Sequence, residues 1–264
     1  MSDATVPHLP QCSISWHGYN QLLQKLEMAA LDLREFSLPP FNTHQLRPTL
    51  LERGIYPARD YPELITKRLP DVFVTYDWRE NVLAVRATVG LAMQNCLRFQ
   101  TNRFPNADLD SLLYHGVTFW LDWIFLDQTS RDVDRELDEI LPALFNDGTV
   151  HVVASTTALS RAWCCYELGQ FNRHAAQTPG ASLTSLVPAD LQKYPLWAAV
   201  DSTDPADKLK VEKRIVELFP GGLHSLEHLM IQAGLGADMG AYPSAARERI
   251  SEAADRWIER FESS

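Results

Sequence analysis

Apolar positions along this chain follow two different periods. Residues 71–76 (DVFVTY) form a short run dominated by apolar β-branched and aromatic residues, which marks a strand buried on both faces. Residues 117–123 (VTFWLDW) and 149–154 (TVHVVA) repeat that pattern, and 182–187 and 196–200 carry weaker versions of it. Between the runs the period becomes helical. At 81–100 Val82, Val85, Val89, Ala92 and Cys96 share a stripe; at 131–146 Val133, Leu137, Ile140 and Leu144 do so, with acids outward. Further helices are predicted over 159–175 and 205–219, the latter opened by Pro205 behind Asp204 as N-cap and stopped by Gly221 and Gly222. Strand–helix alternation at this spacing predicts right-handed βαβ units and a parallel sheet flanked by helices.

The two ends read differently. Residues 18–36 carry Leu22, Leu23, Leu26, Ala29, Ala30, Leu33 and Phe36 on one helical face, and Pro39 and Pro40 end that helix. A proline-punctuated stretch with a short helix near 61–68 follows. The chain therefore divides into a helical extension (1–69), an α/β domain (70–220) and a C-terminal helical extension (221–264). The last of these ends in a helix over 244–262.

Composition narrows the chemistry. The 264 residues are 45% hydrophobic and 22% charged, ordinary globular usage, with a formal net charge of −10. That balance, with scattered arginines, argues against a nucleic-acid surface. No basic-then-apolar leader and no uncharged apolar run of about 18–20 residues is present, so neither secretion nor a membrane span is expected. Cys12, Cys96, Cys164 and Cys165 have no metal-ligand spacing. They read as reduced thiols, which points to the cytoplasm.

Ligands of open parallel sheets bind beyond the carboxyl ends of the strands. Three exits qualify. Tyr76, Asp77 and Trp78 leave the first strand; Asp122 and Trp123 leave the second and enter the loop 124–130; Ser155 and Thr156 leave the third. The following helix begins near Ser160 and carries Trp163 and Glu167 four residues apart on one face, with Cys164, Leu168 and Phe171 on the adjacent, sheet-packing face. An aromatic plate beside a carboxylate suits a flat, cationic, ribosylated ring. Blander roles compete at each position: a solvated helix glutamate for Glu167, core packing for Trp163, Cys164 and Cys165, turn capping for Asp77, and loop orientation for Asp122.

The segments DVFVTYDW, FWLDW with its short polar loop, and Ser160–Leu168 (SRAWCCYEL) resemble the TIR (Toll/interleukin receptor) family, in the same order and at the usual separations. The resemblance spans roughly residues 70–220 and is strongest in the third-helix segment, through Ser160, Trp163, Cys164, Glu167 and Leu168. Tyr76-Asp77-Trp78 stands where many TIR domains have Ser-x-x. The resemblance implies a flavodoxin-like sheet and cleavage of the nicotinamide–ribose bond of NAD, with Glu167 catalytic. Trp163, Tyr76, Asp77, Trp78, Asp122, Trp123 and Ser160 would line the substrate site. NAD enters as substrate, with no resident cofactor and no metal. The family further implies self-association through TIR surfaces, an activating protein or ligand, and a setting in immune or antiviral defence.

Two other classes stay open. A non-enzymatic TIR adaptor would act through loop 124–130 and not need Glu167; a nucleoside deoxyribosyltransferase-like N-glycosidase would also use a carboxylate. His224-Ser225-Leu226-Glu227-His228 matches the H-x-x-E-H pattern of inverted zinc peptidases. Five residues recur by chance, and no such framework surrounds these, so no metal site is expected there.

Overall fold

A computed structural model describes residues 11–28, 43–79, 116–126, 133–145, 149–153, 157–175, 177, 182–185, 197–219 and 221–226, with single positions 86 and 90. The helices expected over 81–100 and 244–262 lie outside these residues, those two positions apart. Six strands form one sheet: β1 (Ser13–Ser15), β2 (Ile65–Thr66), β3 (Val72–Thr75), β4 (Thr118–Trp120), β5 (Val150–Val153) and β6 (Ser182–Ser185). Their order is β2-β1-β4-β3-β5-β6. Strands β3 to β6 pair in parallel, while β1 runs antiparallel to both of its neighbours. The class is α/β with a mixed sheet.

The helices are α1 (Trp16–Met28), α2 (Thr43–Glu52), α3 (Pro57–Asp60), α4 (Asp122–Phe125), α5 (Val133–Leu144), α6 (Ala162–Ala175) and α7 (Pro205–Leu218). Each face of the sheet has its own cover. Register places Val72 beside Phe119 and Phe73 beside Trp120 and His151. On the first face Phe119 meets Tyr19 of α1 edge-on at 5.5 Å. On the second, Phe73 stacks on Trp120 at 5.5 Å, and His151 meets Phe171 of α6 at 4.9 Å. Aromatic contacts of this kind add to the burial that drives the packing.

Three expectations need correction. The segment 1–69 is not only helical: β1 and β2 extend the sheet beyond β4, and Ser13 donates its hydroxyl to the Arg68 carbonyl at 2.9 Å. A three-residue strand with one apolar side chain leaves no readable alternation. In place of the short helix near 61–68 there is a 3-10 turn over Pro62–Leu64 and then β2, directly after α3. Finally, 196–200 is no fifth strand. Trp197–Ala199 is a 3-10 turn, its indole Nε1 donating to Glu212 of α7 at 3.0 Å, and only an isolated bridge between Arg161 and Asp201 follows. Ala198 and Ala199 are exposed and offer a sheet nothing to bury.

Helix α7 starts as its sequence dictates. Asp204 caps it, accepting from the Ala206 amide at 2.9 Å, with Pro205 next. Gly169 lets α6 approach the end of α7, since a Cβ there would lie 2.8 Å from Cζ of Phe219. Among the described residues no helix is long and apolar enough to cross a membrane.

Candidate active site

The site is built at the carboxyl end of β3. Thr75, the last residue of that strand, is buried and points to the face that α6 covers. Its hydroxyl donates to Oε2 of Glu167 at 2.6 Å and also lies 2.7 Å from Nε2 of His151 on β5. Glu167 is therefore turned toward the sheet, in line with Cys164, whose thiol donates to the Tyr76 carbonyl at 3.3 Å, and with Phe171. Glu167 as a whole is half-buried, and protein atoms crowd its carboxyl.

Burial pushes the Glu167 carboxyl up to about 8, and the negative field of Asp122 adds to the rise; the Thr75 hydrogen bond opposes both. Asp122, at the start of α4, gathers three donors. Tyr76 Oη donates at 2.8 Å, Trp78 Nε1 at 2.5 Å and the Trp123 amide at 2.7 Å. Burial and then Asp122 hold the Tyr76 phenol well above its ordinary range, so it stays a donor. Two carboxyls thus face one region from different elements.

Asp77 anchors the other flank. Burial alone would raise its carboxyl, but bonds from the Arg79 side chain and amide and from Thr157 outweigh that and hold it below its usual value. Arg79 reaches it at 2.5 Å, Thr157 Oγ1 at 2.7 Å and Arg161 Nε at 3.8 Å. Asp77 ties the exit of β3 to the turn preceding α6.

Of the residues expected in the cleft, four keep an accessible surface: Trp78, Ser160, Trp163 and Glu167. Tyr76, Asp77 and Asp122 are buried and act as braces. Trp123 is a correction. Its indole is 1% exposed and packs on Tyr19 of α1 at 6.2 Å, leaving no surface for a ligand. Ser160 donates to the Thr157 carbonyl at 2.6 Å within its own turn. The contacts of Trp163 run to α7, through Asp207 at 3.4 Å, and to Tyr166 edge-on at 6.0 Å, not to Glu167. The indole tied to the acidic pair is that of Trp78, through Asp122.

Burial also raises the thiols of Cys164 and Cys165, which excludes them as thiolate nucleophiles. Among the described residues no group of His, Cys, Asp and Glu is arranged to hold a metal ion. His224 is exposed, while Glu227 and His228 lie outside the described residues.

Thr75 and His151 did not emerge from the sequence as site residues. A faint signal existed, for each is the polar position inside an otherwise apolar strand. Their meeting depends on β3–β5 register, which no local pattern encodes. No family model matches the chain, and no curated protein or solved structure matches it either.

Proposed function

We propose that this protein is a TIR-like NAD glycohydrolase in which Glu167 stabilises the positive charge that develops on ribose as nicotinamide departs. One observation carries the reading: a crowded carboxyl on a half-buried residue at the end of the central strand, fixed by Thr75 and raised by burial and Asp122. A crowded acid of this kind gains most from a cationic ligand, because an opposite charge favours its ionised form. The nicotinamide ring of NAD supplies that charge. Its C1′–N bond breaks with the electron pair leaving on the ring nitrogen, so no proton donor is needed. Water then bonds to C1′ and releases a proton, giving ADP-ribose; attack by the adenine of the same molecule gives a cyclic isomer. A fixed carboxylate beside the oxocarbenium-like ribose lowers the barrier electrostatically.

The motif resemblance supports this reading, and so does the sheet. Counting only the parallel strands by chain position, the order is second, first, third, fourth, which matches the start of the flavodoxin-like order. The buried thiols of Cys164 and Cys165, outside any disulfide, suit the cytoplasm. Self-association through TIR surfaces and an activating partner belong to the same proposal.

The raised carboxyl also favours a second reading, a nucleoside N-glycosidase. At neutral pH a protonated Glu167 would donate to a neutral base as it leaves. The two readings differ in sign. Cleavage that needs the carboxylate rises with pH toward about 8; cleavage that needs the acid falls there. The test is incubation with NAD, NADP and nucleosides across pH 6–9, with Glu167→Gln as control and products identified by mass spectrometry. Glu167-dependent release of nicotinamide supports the proposal. Nucleoside cleavage alone supports the second reading, and no turnover under any condition supports an adaptor.

A further inference from the structure

We propose that His151 is a positioning residue for Glu167, acting from inside the core through the hydroxyl of Thr75. Three side chains form one chain of hydrogen bonds: His151 Nε2 to Thr75 Oγ1 at 2.7 Å, and Thr75 Oγ1 to Glu167 Oε2 at 2.6 Å. A threonine hydroxyl has a single proton. When Glu167 is ionised that proton goes to the carboxylate, so His151 must present Nε2–H to the hydroxyl oxygen. The imidazole thereby polarises the hydroxyl, and the hydroxyl grips the carboxylate more strongly than an isolated threonine would.

The surroundings of His151 define what it can do. It is fully buried, with Phe73 and Phe171 edge-on to its ring at 5.2 and 4.9 Å. Nδ1 has no hydrogen-bond partner among the described residues. Among the described residues no carboxylate backs the ring, as one does in the acid–imidazole pair of a hydrolytic triad. Burial holds the imidazole down to about 3, so it stays neutral and cannot take the Glu167 proton. Among the described residues the chain of bonds ends at this buried ring. It orients and does not relay.

The other groups around Glu167 do different work. Asp122 at α4 raises it, and Tyr76 beyond β3 is committed to Asp122. Asp77 is held by Arg79 and Thr157. Cys164 and Cys165 on α6 are neutral thiols. Among the described residues Thr75 grips the carboxyl directly, with His151 behind it.

The catalytic consequence rests on the NAD-cleaving reading, whereas the positioning itself does not, and the experiment separates them. In the unmutated protein, 15N NMR of the imidazole and 13C NMR of the Glu167 carboxyl are followed against pH. The expected result is the Nε2–H tautomer above the Glu167 midpoint, with the ring nitrogens shifting at that same midpoint and becoming flat in Glu167→Gln. Thr75→Val should raise the midpoint by about one pH unit, since a hydrogen bond to the charged form is lost. Thr75→Ser should restore it, and His151→Phe should move it the same way by less. With NAD, Thr75→Val should lower kcat about ten- to a hundredfold with KM little changed, and shift the kcat/KM profile upward by the same unit. An Nδ1–H tautomer above the midpoint, or ring nitrogens indifferent to Glu167, overturns the inference even if NAD is cleaved. Coupled titrations without NAD cleavage uphold the positioning and sink the catalytic reading alone.

Discussion

Oγ1 of Thr75 lies 2.6 Å from Oε2 of Glu167, across 92 positions of sequence, and that contact turns a helix glutamate toward the sheet. With it, the carboxyl is held at the rim of β3 between an acidic neighbour and a buried imidazole.

On the NAD-cleaving reading proposed above, Glu167→Gln should lower cleavage by at least about 100-fold, because the amide cannot stabilise the developing cation. It should also stabilise the fold in alkali. The native carboxyl titrates near 8 against 4.5 for the free group, so the folded state holds a proton that the unfolded state has lost. Stability from this group is complete below pH 4.5 and is lost as pH rises through 8. Urea unfolding at pH 9 should therefore show the variant more stable on the order of 3 kcal/mol. Equal stability there would contradict the burial of this carboxyl.

Two buried groups together shape the pH–stability curve. His151 titrates at about 3 in the fold and 6.5 free, so its contribution is complete above pH 6.5 and is lost as pH falls through 3. Glu167 slopes the opposite way between 4.5 and 8. The slopes cancel between pH 4.5 and 6.5, where these two groups produce a plateau, with stability falling on either side. Replacing His151 by glutamine should tilt the plateau so that stability declines with pH across it. Unfolding free energies at half-unit pH steps test this.

Asp122→Asn removes the negative field beside Glu167 and should move the kcat/KM profile for NAD toward lower pH. The same change disturbs the bonds from Tyr76, Trp78 and the Trp123 amide, at a cost of about 1–3 kcal/mol in stability. A profile that stays in place would remove Asp122 from the electrostatics of the site.

Asp204→Ala serves as a control outside the site. Loss of the cap on the Ala206 amide should cost about 1 kcal/mol and leave the pH profile of cleavage unchanged. A shifted profile would mean that the titration of Glu167 senses the global fold and not its own neighbours.

Local periodicity determined much of this protein from sequence alone. The runs at 71–76, 117–123 and 149–154 contain β3, β4 and β5; the stripes at 131–146 and 159–175 contain α5 and α6; Asp204 marked the start of α7. Burial of a strand or of one helix face is written into neighbouring residues, so it can be read there. The candidate acid, Glu167, was legible through its place on a helix after a strand exit together with the resemblance of Ser160–Leu168 to the TIR segment.

Tertiary structure alone decided the rest. Glu167 meets Thr75 and not Trp163, and Thr75 meets His151, 76 positions further along. Trp123 went to the core because α1 covers that face, and 196–200 left the sheet because Trp197 found a partner on α7. Strand order and register choose such partners through burial and hydrogen bonds summed over distant segments. No window of the chain contains that sum.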